Sequence, residues 1–128
     1  MTRLLLLCLL FGGCSRQATP LVSPSGALSA KTEISGDEAG PSRRLCVRLR
    51  VTDVVAKHEL AFQTGASDVQ KWAVAWSPSN TLVLYSSDAG TMAYEIKGGQ
   101  VVERVPDAAE LEVGRKAYEG KYGRKPKD

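Results

Sequence analysis

From Leu45 to Val51 apolar residues alternate with Cys46, Arg48 and Arg50, the period of two that a half-buried strand requires. A weaker run of the same period covers Val55 to Phe62, with His58, Leu60 and Phe62 on one face, and Gly65-Ala66-Ser67-Asp68 interrupts the chain after it. Trp72, Val74 and Trp76 then share one side of Lys71–Trp76, with alanines on the other. Ser77-Pro78-Ser79-Asn80 is turn chemistry, because proline presets φ at the second turn position. Thr81–Ser86 is rich in strand formers, Asp88-Ala89-Gly90 turns again, and Thr91–Ile96 returns with Met92, Tyr94 and Ile96 in phase. Lys97-Gly98-Gly99 makes a tight hairpin, and Gln100–Val105 completes the series. Short strands joined by such turns predict a small antiparallel meander of about five to six strands.

The period changes at Pro106. Asp107 is placed to N-cap a helix, and Glu110 stands where a capping box needs its reciprocal partner. Leu111, Tyr118 and Tyr122 recur at helical spacing, which predicts a helix over Ala108–Lys121, stopped by Gly123. The basic tail from Arg124 suits the negative end of a helix macrodipole; attraction to anionic headgroups is the other reading. The expected fold class is therefore α+β over 43–128: the meander plus one C-terminal helix. Trp72, Trp76 and Tyr94 are expected to fill the core between sheet and helix, against Leu111 and Tyr118. The opposite face, around Ala73, Ala75, Tyr85 and Ala93, is expected to stay accessible. Tyr85 is in phase with Val83 rather than with Leu82 and Leu84, so its strand is apolar on both sides. A second apolar face marks a candidate binding surface at Tyr85, Ala73 and Ala75.

The N-terminus has a different pattern. An apolar run from Leu4 to Phe11 follows Arg3 and ends in Gly12-Gly13-Cys14. A membrane-spanning helix needs about 20 apolar residues, so this shorter run has the layout of a signal peptide over 1–13. Phe11-Gly12-Gly13-Cys14 resembles the lipobox of bacterial lipoproteins, roughly Leu-(Ala/Ser)-(Gly/Ala)-Cys, at its last two positions and loosely at Gly12; Phe11 stands where Leu is usual. The resemblance implies cleavage before Cys14, a thioether-linked diacylglycerol and an N-acyl chain such as palmitate on that residue, and hence a membrane anchor. Several acyl chains at about 0.8 kcal/mol per methylene hold stably where one does not. The non-acidic Ser15 implies the outer membrane of the cell envelope, on its periplasmic face. After Cys14, 15–42 is dominated by Ser, Pro, Gly and Ala and has no aromatic residue. Such composition predicts a disordered tether, 14–42, spanning roughly 30 Å root-mean-square; a short helix over Ala27–Ile34 is the alternative.

Candidate chemistry is sparse. Of the 3 cysteines, Cys8 leaves with the signal peptide and Cys14 is acylated, so Cys46 has no partner for a disulfide. The 1 histidine, His58, would have to serve any catalytic arrangement, with Cys46 as nucleophile. Nothing near Cys46 lowers a thiol pKa, and the acidic residues are scattered singly, so no catalytic, metal or cofactor site is expected. A net charge of +3 with no basic stripe among aromatics gives no expectation of nucleic-acid binding. Trp72–Ile96 resembles a single blade of a β-propeller, but one blade cannot close a ring, and the likeness supports only an antiparallel meander. The expected protein is a membrane-anchored envelope lipoprotein presenting a small non-enzymatic, protein-binding domain to an envelope partner. The alternatives are a small enzyme using Cys46 and His58, or a purely structural surface lipoprotein.

Overall fold

Eight strands and one helix follow one another in the computed structural model, which describes residues 19–36, 45–67 and 70–127. They are β1 (Leu21–Val22), β2 (Leu28–Gly36), β3 (Leu45–Asp53), β4 (Glu59–Ser67), β5 (Trp72–Trp76), β6 (Leu82–Ser86), β7 (Gly90–Lys97), β8 (Gln100–Arg104) and α1 (Ala108–Tyr122). The signal peptide expected over 1–13 and the expected lipidation site Cys14 lie outside the described residues. The fold is α+β, with antiparallel strands throughout and a C-terminal helix, as the alternation and the capping signal predict. The strands are more numerous than expected, and they divide into two sheets of four, ordered β1-β2-β3-β4 and β5-β6-β7-β8.

The tether expected over 14–42 is corrected here, because β1 and β2 occupy part of it. Residues of β2 pair with β3 along the whole strand, from Leu28↔Asp53 to Gly36↔Leu45. Backbone hydrogen bonds to a strongly alternating neighbour compensate for modest hydrophobicity, and Ala30, 1 % exposed, is all the core needs from the centre of the strand. The helix alternative over Ala27–Ile34 fails for the same reason: pairing with β3 outweighs local propensity.

Inward residues of both sheets form one buried cluster: Ala30, Val47, Leu49, Val51 and Ala66 from the first sheet, and Leu82, Leu84 and Tyr94 from the second. Phe62 and Tyr94 meet with ring centroids 5.0 Å apart. Burial raises the Tyr94 hydroxyl to about 12, with the Glu103 charge adding to the shift. Trp72, Val74 and Trp76 pack on this cluster, and Trp76 Nε1 donates to the Leu21 carbonyl at 2.9 Å, joining the sheets. The tryptophan face is thus turned to the other sheet, not to the helix as expected.

α1 covers the opposite face of the second sheet, lying on β5, β6 and β7. The small residues that read as a leftover face are what admit a helix at close range. Ala73 is 2 % and Ala93 0 % exposed, and a Cβ on Gly114 would lie 3.2 Å from Thr91 Cγ2 and 3.4 Å from Tyr85 Cβ and Val83 Cγ1. Leu111 stays 48 % exposed and plays no part in the core. Gly114→Val should therefore lift α1 off the sheet and cost about 1–3 kcal/mol by overpacking, read as a lower midpoint in urea. An unchanged midpoint would mean that the helix does not seat this closely.

Both helix ends are built as the sequence predicts. Asp107, at φ −81 and ψ 177, accepts from the Glu110 amide at 2.8 Å, and the Glu110 carboxylate accepts from the Asp107 amide at 3.0 Å. Gly123 closes the helix at φ 69, its amide donating to the Glu119 carbonyl at 2.7 Å. No helix among the described residues is long and apolar enough to cross a membrane.

Candidate functional site

Two features of the surface are built from chemistry that the fold alone does not require. The first is the outer face of the first sheet. On β3, the side opposite Val47, Leu49 and Val51 carries Cys46, Arg48 and Arg50, and no described element packs over it. Register places Arg48 between Glu33 on β2 and Gln63 on β4. Arg50, however, takes Glu33, with Nε to carboxylate at 2.7 Å, and also pairs with Glu59. The Arg50 guanidinium holds the Glu33 carboxyl below its ordinary range, against a small opposing effect of burial. Arg48 is left with a buried Nε that has no acceptor among the described residues. An unsatisfied buried donor costs on the order of 1–3 kcal/mol.

The second feature is a cavity of about 400 Å³ where β5 begins, β6 ends and α1 stops, lined by Gln70, Lys71, Tyr85, Ser87, Tyr118, Arg124 and Lys127. Tyr85 and Tyr118 stand edge to face in its wall, ring centroids 5.0 Å apart. Tyr122 fixes the helix end beside it: its hydroxyl donates to the Trp72 carbonyl at 3.0 Å and lies 3.1 Å from the Trp72 amide, which donates to it. Lys121 donates to the same carbonyl at 2.8 Å while its Nζ sits 3.5 Å from the Trp72 ring centroid. Lys71 approaches the face of Tyr122, 5.4 Å from its centroid. None of Lys71, Arg124 and Lys127 has a carboxylate partner among the described residues. Arg104 and Arg115, by contrast, are matched: Arg104 with Glu95 and Glu110, Arg115 with Glu112 and Glu119.

The residues expected to matter fall as follows. Ala73 is buried beneath α1 and Ala75 is half-buried, so they do not form the open face expected of them. The helix occupies that face because the alanines leave room for it. Tyr85, half-buried, reaches the cavity wall from the same strand system. Cys46 and His58 are not brought together. Cys46 pairs with Ser67, whereas His58 immediately precedes the Thr52↔Glu59 pair at the other end of the ladder. At about 3.3 Å per residue that separates them by roughly 20 Å. Asp53, near His58 in sequence, spends its Oδ1 on the Val55 and Ala56 amides at 3.0 and 2.9 Å, holding the β3–β4 turn. His58 and Asp53 border only a narrow void of about 150 Å³ between Leu28, Val51, Leu60 and Ile96. Among the described residues no group of histidine, cysteine and acidic side chains is spaced to hold a metal ion. Asp88 is turn chemistry that also ties the sheets, one carboxylate oxygen bonded to Ser86 and the other accepting from the Ser67 amide at 3.2 Å.

Sequence reasoning missed the cavity because Lys71 and the basic tail are far apart along the chain. The available signal was Tyr118 and Tyr122, one helical turn apart and directly before that tail. No family model matches the chain, and no curated protein or solved structure matches it significantly.

Proposed function

We propose that the protein is a lipoprotein of the bacterial cell envelope, anchored in the outer membrane through Cys14, whose small non-enzymatic domain binds an envelope protein. The observation that carries the binding half of this reading is the outer face of the first sheet, over which no described element packs. Arg48 at its centre has a buried donor with no acceptor among the described residues, because the nearest carboxylate serves Arg50. The Nε itself is sealed from solvent, but Arg48 as a whole is only half-buried. A partner carboxylate would therefore pair with the accessible part of its guanidinium, and arginines are frequent anchors of protein interfaces.

The anchoring half rests on the lipobox-like junction. With β1 starting at Leu21, the seven residues from Cys14 span at most about 25 Å even when fully extended. The domain would therefore work close to the membrane surface, with partners within that reach.

Two measurements test the two halves separately. Cys14→Ser should abolish acylation and leave the unprocessed chain in the membrane fraction, read by intact mass. A variant that is cleaved and released as soluble protein removes the lipoprotein reading. Cross-linking of the protein in intact envelopes should give a defined protein adduct that Arg48→Glu reduces at least tenfold. Arg48→Glu also sets a carboxylate opposite Glu33, so Arg48→Ala, which should keep its thermal midpoint and lower the adduct in the same direction, is the paired variant. Adducts indifferent to Arg48→Glu would place the partner elsewhere or nowhere.

A further inference from the structure

The cavity at the end of α1 is independent of that sheet face and has its own chemistry. We propose that it is a binding site for a phosphate-bearing ligand, with the phosphate held by Lys71, Arg124 and Lys127 and the ligand's body lodged against the rings of Tyr85 and Tyr118.

Three cations converge on one concavity without a carboxylate among the described residues that line it. Each repels the others, so their convergence is unfavourable unless an anion joins them. The helix macrodipole does not account for the arrangement. It favours cations just past Tyr122, which covers Arg124 and Lys127, but Lys71 comes from the opposite wall, ahead of β5. Lys121, in the last turn, already serves that end of the helix.

Charge decides between the common anions. A carboxylate brings one negative charge, whereas a phosphate monoester carries about −1.5 to −2 near neutral pH and more nearly matches three cations. The planar guanidinium of Arg124 suits two phosphate oxygens at once, while the lysines act as point charges. Ser87 and Gln70 also line the cavity, the Ser87 hydroxyl donating to Gln70 Oε1 at 3.4 Å, which leaves the Gln70 amide nitrogen as a further donor. The volume of about 400 Å³ is more than a bare phosphate needs and falls in the range of small-molecule sites, roughly 300–1,000 Å³. The tyrosine rings then offer a flat apolar wall to a sugar or glycerol moiety. The exposed positions of Arg124 and Lys127 make the binding sensitive to salt.

The phosphate could belong to a soluble ester or to a lipid headgroup, and the experiment separates them. The full-length protein in nonionic detergent is titrated with glycerol 3-phosphate at low salt, followed by the fluorescence of Trp72 beside the site and by calorimetry. The same detergent-solubilised protein is also titrated with phosphatidic acid and, separately, with phosphatidylcholine carried in the detergent micelles, where an acyl anchor contributes equally to both. Saturable binding of glycerol 3-phosphate, weakened at least tenfold by Lys71→Ala and by Arg124→Ala and unaffected by Cys14→Ser, is the expected result for a soluble ester. Binding confined to micelles with phosphatidic acid, with the same loss in both variants, assigns the headgroup. Arg124 is exposed beyond the helix end, so Arg124→Ala should leave the thermal midpoint unchanged and its effect reports the site alone. Three outcomes would overturn the proposal: equal binding of acetate or of a poly-glutamate peptide, no binding of either phosphate source, or affinity indifferent to both variants. Because none of these readouts requires acylation or Arg48, failure here leaves the lipoprotein reading standing, and the reverse also holds.

Discussion

Leu84→Ala is expected to cost about 3–5 kcal/mol, the upper part of the range for truncating a fully buried leucine. Leu84 is 0 % exposed at the centre of β6, opposite Val74 on one side and Met92 on the other, and belongs to the cluster shared by both sheets. Its strand is buried on both faces, since Val83 turns the other way beneath α1. The cavity left behind cannot collapse without moving one of the three layers. A domain this small has a total stability at or below the usual ~5–15 kcal/mol, so the variant should be largely unfolded at 37 °C. Leu111→Ala is the control. With Leu111 48 % exposed, it should cost less than about 1 kcal/mol. Urea titrations followed by tryptophan fluorescence measure both. A larger loss at Leu111 than at Leu84 would mean that the principal core lies between helix and sheet, not between the sheets.

That contrast marks what could and could not be read from the chain. β5 to β8 were legible because their signals are local. Alternation sets each strand, and turn residues set each reversal, with Asn80 at φ 62 and Gly98 and Gly99 at φ 57 and 74. The capping box at Asp107 and Glu110 was legible for the same reason. The first sheet was less so. β2 has few large apolar residues and is held by pairing with β3, a relation that its own composition does not express. Nor does any local signal say that the chain changes sheets between β4 and β5. The facing of β5 was misread because both sides of the second sheet are covered. Two bulky tryptophans suit the space between sheets, and the alanines suit a helix that must come close. The candidate sites depend on geometry still further. Arg48 loses its partner only because Arg50 claims Glu33, and Lys71 and Arg124 line one cavity only because Tyr122 pins the helix end to Trp72.

Glu110→Ala should have the second large effect, and its dependence on pH identifies the cause. Glu110 is 2 % exposed yet charged. Its carboxylate receives both terminal nitrogens of Arg104, at 2.5 and 2.6 Å, and the Asp107 amide at 3.0 Å. Arg104 also holds Glu95 at 2.6 Å and Thr81 at 3.3 Å, so this cluster joins β8, β7 and the β5–β6 turn to the start of α1. Breaking a buried pair costs ~3–5 kcal/mol; Arg104 keeps Glu95 and some solvent, so the cost here should be about 3 kcal/mol. The hydrogen bonds from Arg104 hold the Glu110 carboxyl below its ordinary range, against the burial that pushes it up, with the Asp107 amide assisting. A carboxylate whose pKa is lowered by folding adds stability above its unfolded-chain value and gives it up as pH falls through the folded value. The natural protein should therefore lose this increment on acidification, while Glu110→Ala has none to lose. The gap between the two chains, full at pH 7, should narrow below about pH 4. Glu110→Gln keeps the size and a cap acceptor but not the charge, and should fall between them at pH 7. Urea midpoints at pH 7 and pH 3 decide the matter: a gap that stays constant would mean that Glu110 contributes by packing and capping alone, with its charge irrelevant to the fold.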